Sequence, residues 1–242
     1  MSEAKYQRVL LKISGEGFCK PGGFGIDGEE LELVAREILA AAKLGAEVAV
    51  VVGGGNIIRG AALSRQGHIP QATADYMGML GTVINGLALK EMLETLGQPA
   101  RVLSAINLTA VAEPFIRGRA LRHLEKGRIV ILAAGTGNPF FTTVTAAALR
   151  ATEIGAQVLL KATKVDGVYD KDPMTHDDAV KYDRLTYSEA IARQLKIMDM
   201  TALSLCMERA IPIVVFNMKN PGHIAAVVAG QTHGTLIDGE EG

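Results

Sequence analysis

Short apolar runs alternate with helical patterns along the whole chain, and several of these runs end in a glycine-rich or lysine-rich turn. The clearest run covers residues 129–134 and is short and β-branched enough for a buried strand. It leads into a glycine turn at residues 135–143 and then into good helix formers, which Gly155 would stop. The alternation predicts an α/β fold, namely a three-layer α/β/α sandwich with a mostly parallel central sheet.

Composition limits the classes of function that this chain can have. Its 242 residues fit one large α/β domain or two small lobes, with 21% charged residues and a net charge of −1. A nucleic-acid binder that works through a broad basic face is therefore not expected. Any polyanionic ligand must be held by a few placed cations and by backbone amides.

The pattern of the cysteines and the lengths of the apolar runs indicate the cellular compartment in which the protein is expected. Cys19 and Cys206 form no C-x-x-C motif and have no histidine at ligand spacing, so neither a disulfide framework nor a zinc site is expected. The first residues lack the apolar core of a signal peptide, and no apolar run reaches the length of a membrane span. We expect a soluble, cytoplasmic protein without a membrane partner. The five histidines lie in polar surroundings and are predicted to be on the surface.

Two of the turns place a basic residue beside glycines. A strand predicted at residues 8–13 carries Lys12 near its end. Lys12 is either a phosphate ligand, a lysine on an edge strand, or a lysine that snorkels from the core. A second strand, at residues 47–52, ends in three glycines at 53–55 and is followed by Arg59, either a surface arginine or a phosphate ligand. The glycines match neither G-x-G-x-x-G nor a P-loop, which disfavours a dinucleotide-binding dehydrogenase.

The other two turns could complete a nucleotide site. In residues 135–143, two glycines and a proline shape the backbone, and Thr142 and Thr143 stand where a helix N-cap belongs. A tight turn without a ligand is the alternative. Residues 161–173 combine three lysines with a threonine and a tyrosine, and there the alternative is a solvated loop.

In a parallel sheet these four turns would meet beyond the carboxyl ends of the strands, where ligands of open α/β sheets bind. They would bring together cationic side chains and backbone N–H groups that bind anions. The sequence shows no catalytic triad, G-x-S-x-G motif or metal-ligand cluster beside them. Such a site suits phosphoryl transfer between two groups that are already ionised. Mg²⁺ would then arrive with the nucleotide, and no protein metal ligand is expected.

The same turns carry a resemblance to a known family. The carrying segments are LKISGE (11–16), GGFGID (22–27), GGGN (53–56), DYMGML (75–80), TGNPFFTT (136–143) and KATKVDGV (161–168). Along essentially its whole length the chain resembles the bacterial uridylate (UMP) kinases of the amino acid kinase fold. The first lysine and the triple glycine are shared across the wider fold, whereas the last two segments are specific to the UMP kinase branch.

The resemblance implies transfer of the γ-phosphate of Mg-ATP to UMP, giving ADP and UDP in pyrimidine nucleotide biosynthesis. Residues 1–242 would form one domain, with the acceptor mainly in residues 1–150 and ATP mainly in 151–242. The implied catalytic residues are Lys12, Arg59 and Lys161. The implied ATP residues are Lys12, Ile13, Ser14, Gly15, Gly55, Arg59, Thr163, Tyr169 and Asp172. The implied UMP residues are Gly54, Asp75, Thr136, Gly137, Asn138, Pro139, Phe140, Phe141, Thr142 and Thr143.

Regulation and assembly are also implied by the resemblance. The family is typically a homohexamer that GTP activates in many bacterial members and UTP inhibits, and we expect the same here. The residues that match the GTP region are Lys20, Pro21, Gly22, Gly23, Phe24 and Gly25, with Arg101 and Arg128 as basic positions near it.

The chain departs from the family pattern at Val144, because the family usually places an acidic residue directly after Thr-Thr. We expect this departure to reduce turnover without abolishing it. The cluster of Lys90, Glu91 and Glu94 also differs from the basic pattern of some GTP-activated members, which leaves the strength of activation open.

Two rival functions would use the same scaffold: an amino acid kinase of the acetylglutamate, glutamate or carbamate type, and a non-catalytic nucleotide-binding sensor.

Overall fold

The computed structural model describes residues 4–58, 67–195, 197–218, 221–231 and 233–239. The strands are β1 (Arg8–Ile13), β2 (Glu47–Val52), β3 (Ala100–Ser104), β4 (Glu113–Pro114), β5 (Ile129–Ala133), β6 (Val158–Thr163), β7 (Val168–Tyr169), β8 (Lys181–Tyr182), β9 (Arg184–Thr186), β10 (Ile213–Asn217) and β11 (Thr235–Asp238). The α-helices are α1 (Gly28–Ala42), α2 (Gln71–Thr95), α3 (Arg117–Glu125), α4 (Thr143–Ile154), α5 (Tyr187–Ala192), α6 (Met200–Glu208) and α7 (His223–Val228). A 3-10 helix, Gly15–Phe18, follows β1.

Within these residues, nine strands form one sheet in the order β4-β3-β5-β2-β1-β6-β10-β11-β9. The strands from β4 to β10 run parallel to one another. β11 is antiparallel to β10 and parallel to β9, while β7 and β8 form a separate antiparallel pair. The predicted mostly parallel sheet is therefore confirmed.

Two hydrophobic cores lie on opposite faces of this sheet. On β1, Leu11 and Ile13 belong to the core with α1, α2 and α7, whereas Leu10 belongs to the core with α3, α4, α5 and α6. All three side chains are fully buried, because successive residues of a strand face opposite sides and helices cover both. The molecule is the three-layer α/β/α sandwich that the alternation predicted.

Short polar side chains cap several of the helices at their N-termini. Asp27 caps α1, and Thr142 caps α4 by accepting hydrogen bonds from the backbone N–H groups of Val144 and Thr145. α4 ends at Gly155, which adopts the left-handed conformation with a φ of 66°. The predicted cap at Thr142 and the predicted stop at Gly155 are both confirmed.

One of the surface predictions is wrong. His123 on α3 is buried, and its ring nitrogens lie 3.3 Å from Oε2 of Glu113 and 3.0 Å from Nη1 of Arg128. The charged residues Arg122 and Glu125 flank His123 closely in sequence and suggest an exposed position, whereas the fold brings β4 and the residue before β5 against α3. Both cysteines are buried free thiols. None of the described helices combines the length and the hydrophobicity needed to cross a bilayer.

Candidate active site

The carboxyl ends of β1, β2, β5 and β6 lie at one edge of the sheet, so the four predicted turns are neighbours there. Lys12 on β1 and Lys161 on β6 are direct partners in the register of these two parallel strands. Their side chains therefore point to the same face of the sheet, the face covered by α4 and α6. Two cations stand side by side where the strands end.

The surroundings of Lys12 and Lys161 lower the pKa of both side chains and so disfavour their protonated forms. Burial lowers the pKa of Lys12, and the carboxylate of Glu16 opposes that shift. Burial also lowers the pKa of Lys161 to about 8; the charge of Lys12 adds to this shift, and the carboxylate of Asp199 opposes it. The Lys161 ammonium group donates a hydrogen bond to the carbonyl of Ile197. Because the two desolvated cations repel each other, an anion bound between them would be strongly favoured.

The triple glycine after β2 allows backbone segments to approach closely. A Cβ on Gly53 would lie 2.7 Å from the backbone nitrogen of Gly15, and a Cβ on Gly54 would lie 2.6 Å from the carbonyl oxygen of Gly78 in α2. Gly55 differs, because a Cβ there would meet nothing within 4 Å. The first two glycines therefore pack the turn against the start of the 3-10 helix that follows β1 and against α2, and the third faces open space that a ligand can enter.

Two buried asparagines hold this turn in place. Nδ2 of Asn85 donates to the Gly53 carbonyl at 2.7 Å and to Oδ1 of Asn56 at 2.6 Å. Nδ2 of Asn56 donates to the Gly25 carbonyl at 2.7 Å. Because a buried amide without a partner would destabilise the fold, these bonds fix the glycine-rich loop, the triple glycine and α2 relative to one another.

Helix α2 also holds the turn that follows β5. Oδ2 of Asp75 accepts a hydrogen bond from the backbone N–H of Phe140 at 2.8 Å, and Oγ1 of Thr82 accepts one from Ala134 at 2.7 Å. Ala134 and Phe140 have positive φ values of 61° and 71°, a strained conformation that clusters at functional sites. Phe140 and Phe141 are both exposed, so their rings face solvent instead of filling the core.

Local contacts shape the first half of the same turn. Oγ1 of Thr136 accepts a hydrogen bond from the backbone N–H of Asn138 at 3.1 Å. Gly137 has a φ of 81°, and a Cβ there would lie 2.9 Å from the Ala105 carbonyl oxygen. Pro139 then leads into the strained Phe140. The predicted UMP residues of this turn thus form one compact loop at the start of α4.

Asp199 is a site residue that local sequence signals did not reveal. Its carboxylate accepts hydrogen bonds from the hydroxyls of Thr142 at 2.6 Å and Thr145 at 2.8 Å, and from the backbone N–H of Ala202 at 2.9 Å. Burial acts to raise the pKa of Asp199, but these hydrogen bonds outweigh it and the net shift is downward. An ionised carboxylate therefore joins the N-termini of α4 and α6 beside Lys161. It lies 57 residues from Thr142 in sequence, so spacing alone could not indicate the contact.

Two cavities open at this edge of the sheet and share Lys161 and Thr163. Their volumes of about 690 and 520 Å³ lie within the usual range for small-molecule sites. The larger, which we call the β1 cavity, is lined by Lys12, Ser14, Glu16, Gly17, Cys19, Lys20, Pro21, Gly22, Gly23, Lys161, Ala162, Thr163, Lys164, Met174 and Met218. The smaller, the β7 cavity, is lined by Lys161, Thr163, Val165, Gly167, Val168, Tyr169, Asp170, Lys171, Asp172, Pro173, Arg193, Gln194, Leu195, Ile197 and Val215.

The loop predicted for GTP lies next to the lysine pair. Lys20, Pro21, Gly22 and Gly23 line the β1 cavity itself. Phe24 is 80% exposed, and the Gly25 N–H donates to the Asn56 carbonyl at 2.8 Å. The catalytic and ATP candidate Arg59 lies outside the described residues.

Arg101 and Arg128 do not lie near that loop. The expectation that they would is therefore wrong for the residues of a single copy of the chain. Arg101 is at the start of β3 and Arg128 directly precedes β5, so both are at the amino ends of parallel strands, whereas the loop follows the carboxyl end of β1. The two arginines instead share a cluster: Arg101 lies 3.9 Å from Glu113, which lies 3.3 Å from His123, which contacts Arg128. Sequence matching placed them together with the loop because it carries no information on which end of a strand they occupy.

Comparison with known proteins identifies the family to which this chain belongs. The family model described as the amino acid kinase family matches residues 7–217. Uridylate kinases from Xanthomonas oryzae and Xanthomonas campestris are 54% and 55% identical over 239 residues, covering 99% of both chains. The crystal structure of a UMP kinase from Bacillus anthracis superposes with a TM-score of 0.94 at 39% identity, covering 98% of this chain and 97% of the other. A UMP kinase from Ureaplasma parvum gives a TM-score of 0.90 at 36% identity, covering 97% and 99%. The chain belongs to the amino acid kinase family and, within it, to the uridylate kinases.

Proposed function

We propose that this protein is a UMP kinase, which transfers the γ-phosphate of Mg-ATP to UMP and forms ADP and UDP for pyrimidine nucleotide biosynthesis. The observation that carries the proposal is the pair Lys12 and Lys161, in register on neighbouring strands beside the start of α4. Similarity to uridylate kinases over nearly the full length of both chains supports the same substrates.

ATP is proposed to occupy both cavities. The β7 cavity would take the adenosine part, with Thr163, Tyr169 and Asp172 on its wall. The β1 cavity would take the phosphates, which Lys12 and Lys161 would bind. At the end of β1, Ile13, Ser14 and Gly15 would contribute backbone groups and one hydroxyl, and Gly55 and Arg59 would complete the phosphate contacts.

UMP is proposed to lie against the turn that follows β5. Gly54 and Asp75 would contact the nucleotide, with Asp75 at the ribose, while the turn itself would surround the base and phosphate. One carboxylate oxygen of Asp75 already binds Phe140, which leaves its other oxygen for the ribose. The turn residues proposed to contact UMP are Thr136, Gly137, Asn138, Pro139, Phe140, Phe141, Thr142 and Thr143. All these acceptor residues lie within residues 1–150, and we propose one domain in which residues 151–242 mainly serve ATP.

The proposed reaction needs no general base. The acceptor phosphate of UMP is already ionised at neutral pH and can attack the γ-phosphate directly. The chain's task is then to align the two phosphates and to screen their charge, which Lys12 and Lys161 can do from adjacent positions. Mg²⁺ enters as part of the ATP substrate and neutralises further phosphate charge.

Assembly as a homohexamer, activation by GTP and inhibition by UTP are proposed from the family resemblance. An exposed apolar stripe on α2, formed by Tyr76, Leu80 and Ile84 at four-residue spacing, supports association between copies of the chain. We propose a cytoplasmic location, in keeping with the two free cysteines.

The test of the function is ADP release from Mg-ATP with a panel of acceptors: UMP, CMP, dUMP, N-acetylglutamate and carbamate. Turnover with UMP far above the other acceptors is the expected result. Turnover only with N-acetylglutamate or carbamate would keep the fold and overturn the proposed substrate. Binding of UMP and ATP without any ADP release would instead indicate a nucleotide sensor.

A further inference from the structure

The strands β7 and β8, which we call the β7–β8 pair, carry part of the wall of the β7 cavity. Val168 and Tyr169 of β7 both line this cavity, and their register partners on β8 are Tyr182 and Lys181. The pair is a separate two-stranded sheet and does not belong to the nine-stranded one. Because two strands alone are only marginally stable in water, contacts to the main sheet must fix their position.

Thr235, at the start of β11, supplies such a contact from inside the protein. Its side chain is fully buried. Its hydroxyl accepts a hydrogen bond from the backbone N–H of Val168 at 2.8 Å and donates one to the carbonyl of Tyr182. Since Val168 and Tyr182 are opposite residues of the β7–β8 pair, one buried hydroxyl joins both of its strands to β11.

The neighbours of Thr235 place this contact beside the β7 cavity. Thr235 is the register partner of Val215 on β10, and Val215 lines the cavity. Gly167 lines it too, and a Cβ on Gly167 would lie 2.6 Å from the hydroxyl oxygen of Thr235. The missing side chain of Gly167 therefore allows β7 to come within hydrogen-bond distance of β11.

We propose that Thr235 is a positioning residue for the adenosine part of ATP. It acts through Val168 and Tyr169, whose backbone it holds at a fixed distance from Val215 on the main sheet. Without the hydroxyl, the N–H of Val168 and the carbonyl of Tyr182 would each lose a buried partner, and the β7–β8 pair would shift to satisfy them. The inference rests on the proposed binding of the adenosine in the β7 cavity.

The test is the Kd of Mg-ATP, measured by calorimetry without UMP, beside the Kd of UMP measured without ATP. Thr235→Val keeps a β-branched side chain on the strand but removes the hydroxyl. Its Kd for Mg-ATP should rise about five- to thirtyfold, as expected when buried hydrogen-bonding groups lose their partner. Its Kd for UMP should keep the wild-type value. Thr235→Ser retains the hydroxyl and should bind Mg-ATP like the wild type.

Thr82 offers a matched variant on the acceptor side. Its buried hydroxyl also accepts from a backbone N–H, that of Ala134 at 2.7 Å, and donates to a backbone carbonyl, that of Met79 at 2.6 Å. Thr82→Val should therefore give the opposite pattern, with a raised Kd for UMP and a wild-type Kd for Mg-ATP. A general loss of structure would instead weaken the binding of both ligands together.

Gly167→Ala disturbs the same contact while Thr235 stays in place, and it should also raise the Kd of Mg-ATP. Wild-type affinity for Mg-ATP in either Thr235→Val or Gly167→Ala would overturn the proposal. Equal losses of Mg-ATP and UMP affinity in Thr235→Val, or a Thr235→Ser protein as weak as Thr235→Val, would overturn it as well.

Tyr169→Ala tests the cavity assignment in the same assay. Unchanged binding of Mg-ATP in this variant would overturn the inference together with the placement of the adenosine, while phosphorylation of UMP by the wild type would still stand. Because the Kd of Mg-ATP is measured without an acceptor, the result for Thr235 does not depend on UMP being the substrate.

Discussion

Lys12 and Lys161 supply the positive charge of the site from two adjacent strands. Their register pairing places them on one face, and burial lowers the pKa of each. A strand-borne lysine is held by the sheet on both sides of it, so its position does not depend on a loop. This explains how a chain with a net charge of −1 can concentrate cations where phosphates are proposed to bind.

The lowered pKa of Lys161 predicts a pH dependence. Lys161 is protonated below its pKa of about 8 and loses its charge above it, so kcat/KM for ATP should fall as the pH rises past that value. In Lys161→Arg the guanidinium stays charged, and the falling limb should move to higher pH whatever the absolute rate. An alkaline limb at the same pH in both proteins would exclude Lys161 as its source.

The same lowered pKa predicts that the free energy of unfolding rises with pH, whereas kcat/KM falls. Because the pKa of Lys161 is lowered by folding, the unfolded state binds more protons between about pH 8 and the ordinary lysine value of 10.5. The contribution of Lys161 to the free energy of unfolding should therefore increase with pH across that window. Urea unfolding of the wild type and of Lys161→Met at pH 7.5 and 9.5 measures it, and an equal change with pH in both proteins would contradict it.

Val144 is predicted to limit turnover. It lies at the N-terminus of α4, where the helix dipole would stabilise a carboxylate, and we expect a carboxylate there to lie near the proposed phosphate site. Val144→Asp should raise kcat, and Val144→Asn controls for the loss of the apolar side chain without adding charge. A kcat for Val144→Asp that is unchanged, lower, or matched by Val144→Asn would refute this prediction.

Among the helices and strands, α2 holds both turns that are proposed to contact UMP, the turn after β2 and the turn after β5. Asp75 and Thr82 bind the turn after β5, and Asn85 binds the turn after β2. The opposite side of the same helix carries the exposed stripe of Tyr76, Leu80 and Ile84. A contact that shifts α2 would thus move both turns together, which gives assembly a physical route to the proposed UMP site.

Asp199 is predicted to matter for both stability and turnover. Asp199→Ala removes the cap of α6 and the bonds to Thr142 and Thr145, which should lower the free energy of unfolding by about 1–2 kcal/mol. It should also lower kcat, because the start of α4 loses its anchor. Thr186→Ala, which removes the cap of α5, is the control that should lose stability but keep kcat. An Asp199→Ala enzyme with wild-type kcat would contradict the role in turnover.

The sequence predicted those parts of the fold that depend on local pattern. The strand predicted at residues 129–134 is present as Ile129–Ala133, and Thr142 is the predicted cap, because burial and capping leave a signal within a few residues. The site itself was predicted partly from local pattern, since glycines and lysines at strand ends converge in any parallel sheet. The bonds of Asp199 to Thr142 and Thr145, and the burial of His123, could not be predicted, because the partners lie on other elements. The order and ends of the strands, which separate Arg101 from the glycine-rich loop, also have no local signal.

At the scale of the whole molecule, the α2 stripe predicts association between copies of the chain. Leu80→Lys should shift the protein towards smaller assemblies, because it places a charge in the middle of the exposed apolar surface. Leu33, which is exposed on α1, offers the matched control Leu33→Lys. Sedimentation velocity checks both variants, and an unchanged distribution for Leu80→Lys would show that this stripe is not an interface.

The most direct test of the account is kcat for UMP phosphorylation in Lys12→Ala, with the Kd of UMP measured alongside. If the buried lysine pair stabilises the transferring phosphate, kcat should fall by about a hundredfold or more, the equivalent of roughly 3 kcal/mol, while UMP binds as in the wild type. Lys126→Ala, at the exposed end of α3, controls for the loss of one lysine charge. A Lys12→Ala enzyme that keeps its kcat would contradict the account, because phosphoryl transfer would then not depend on the lysine pair.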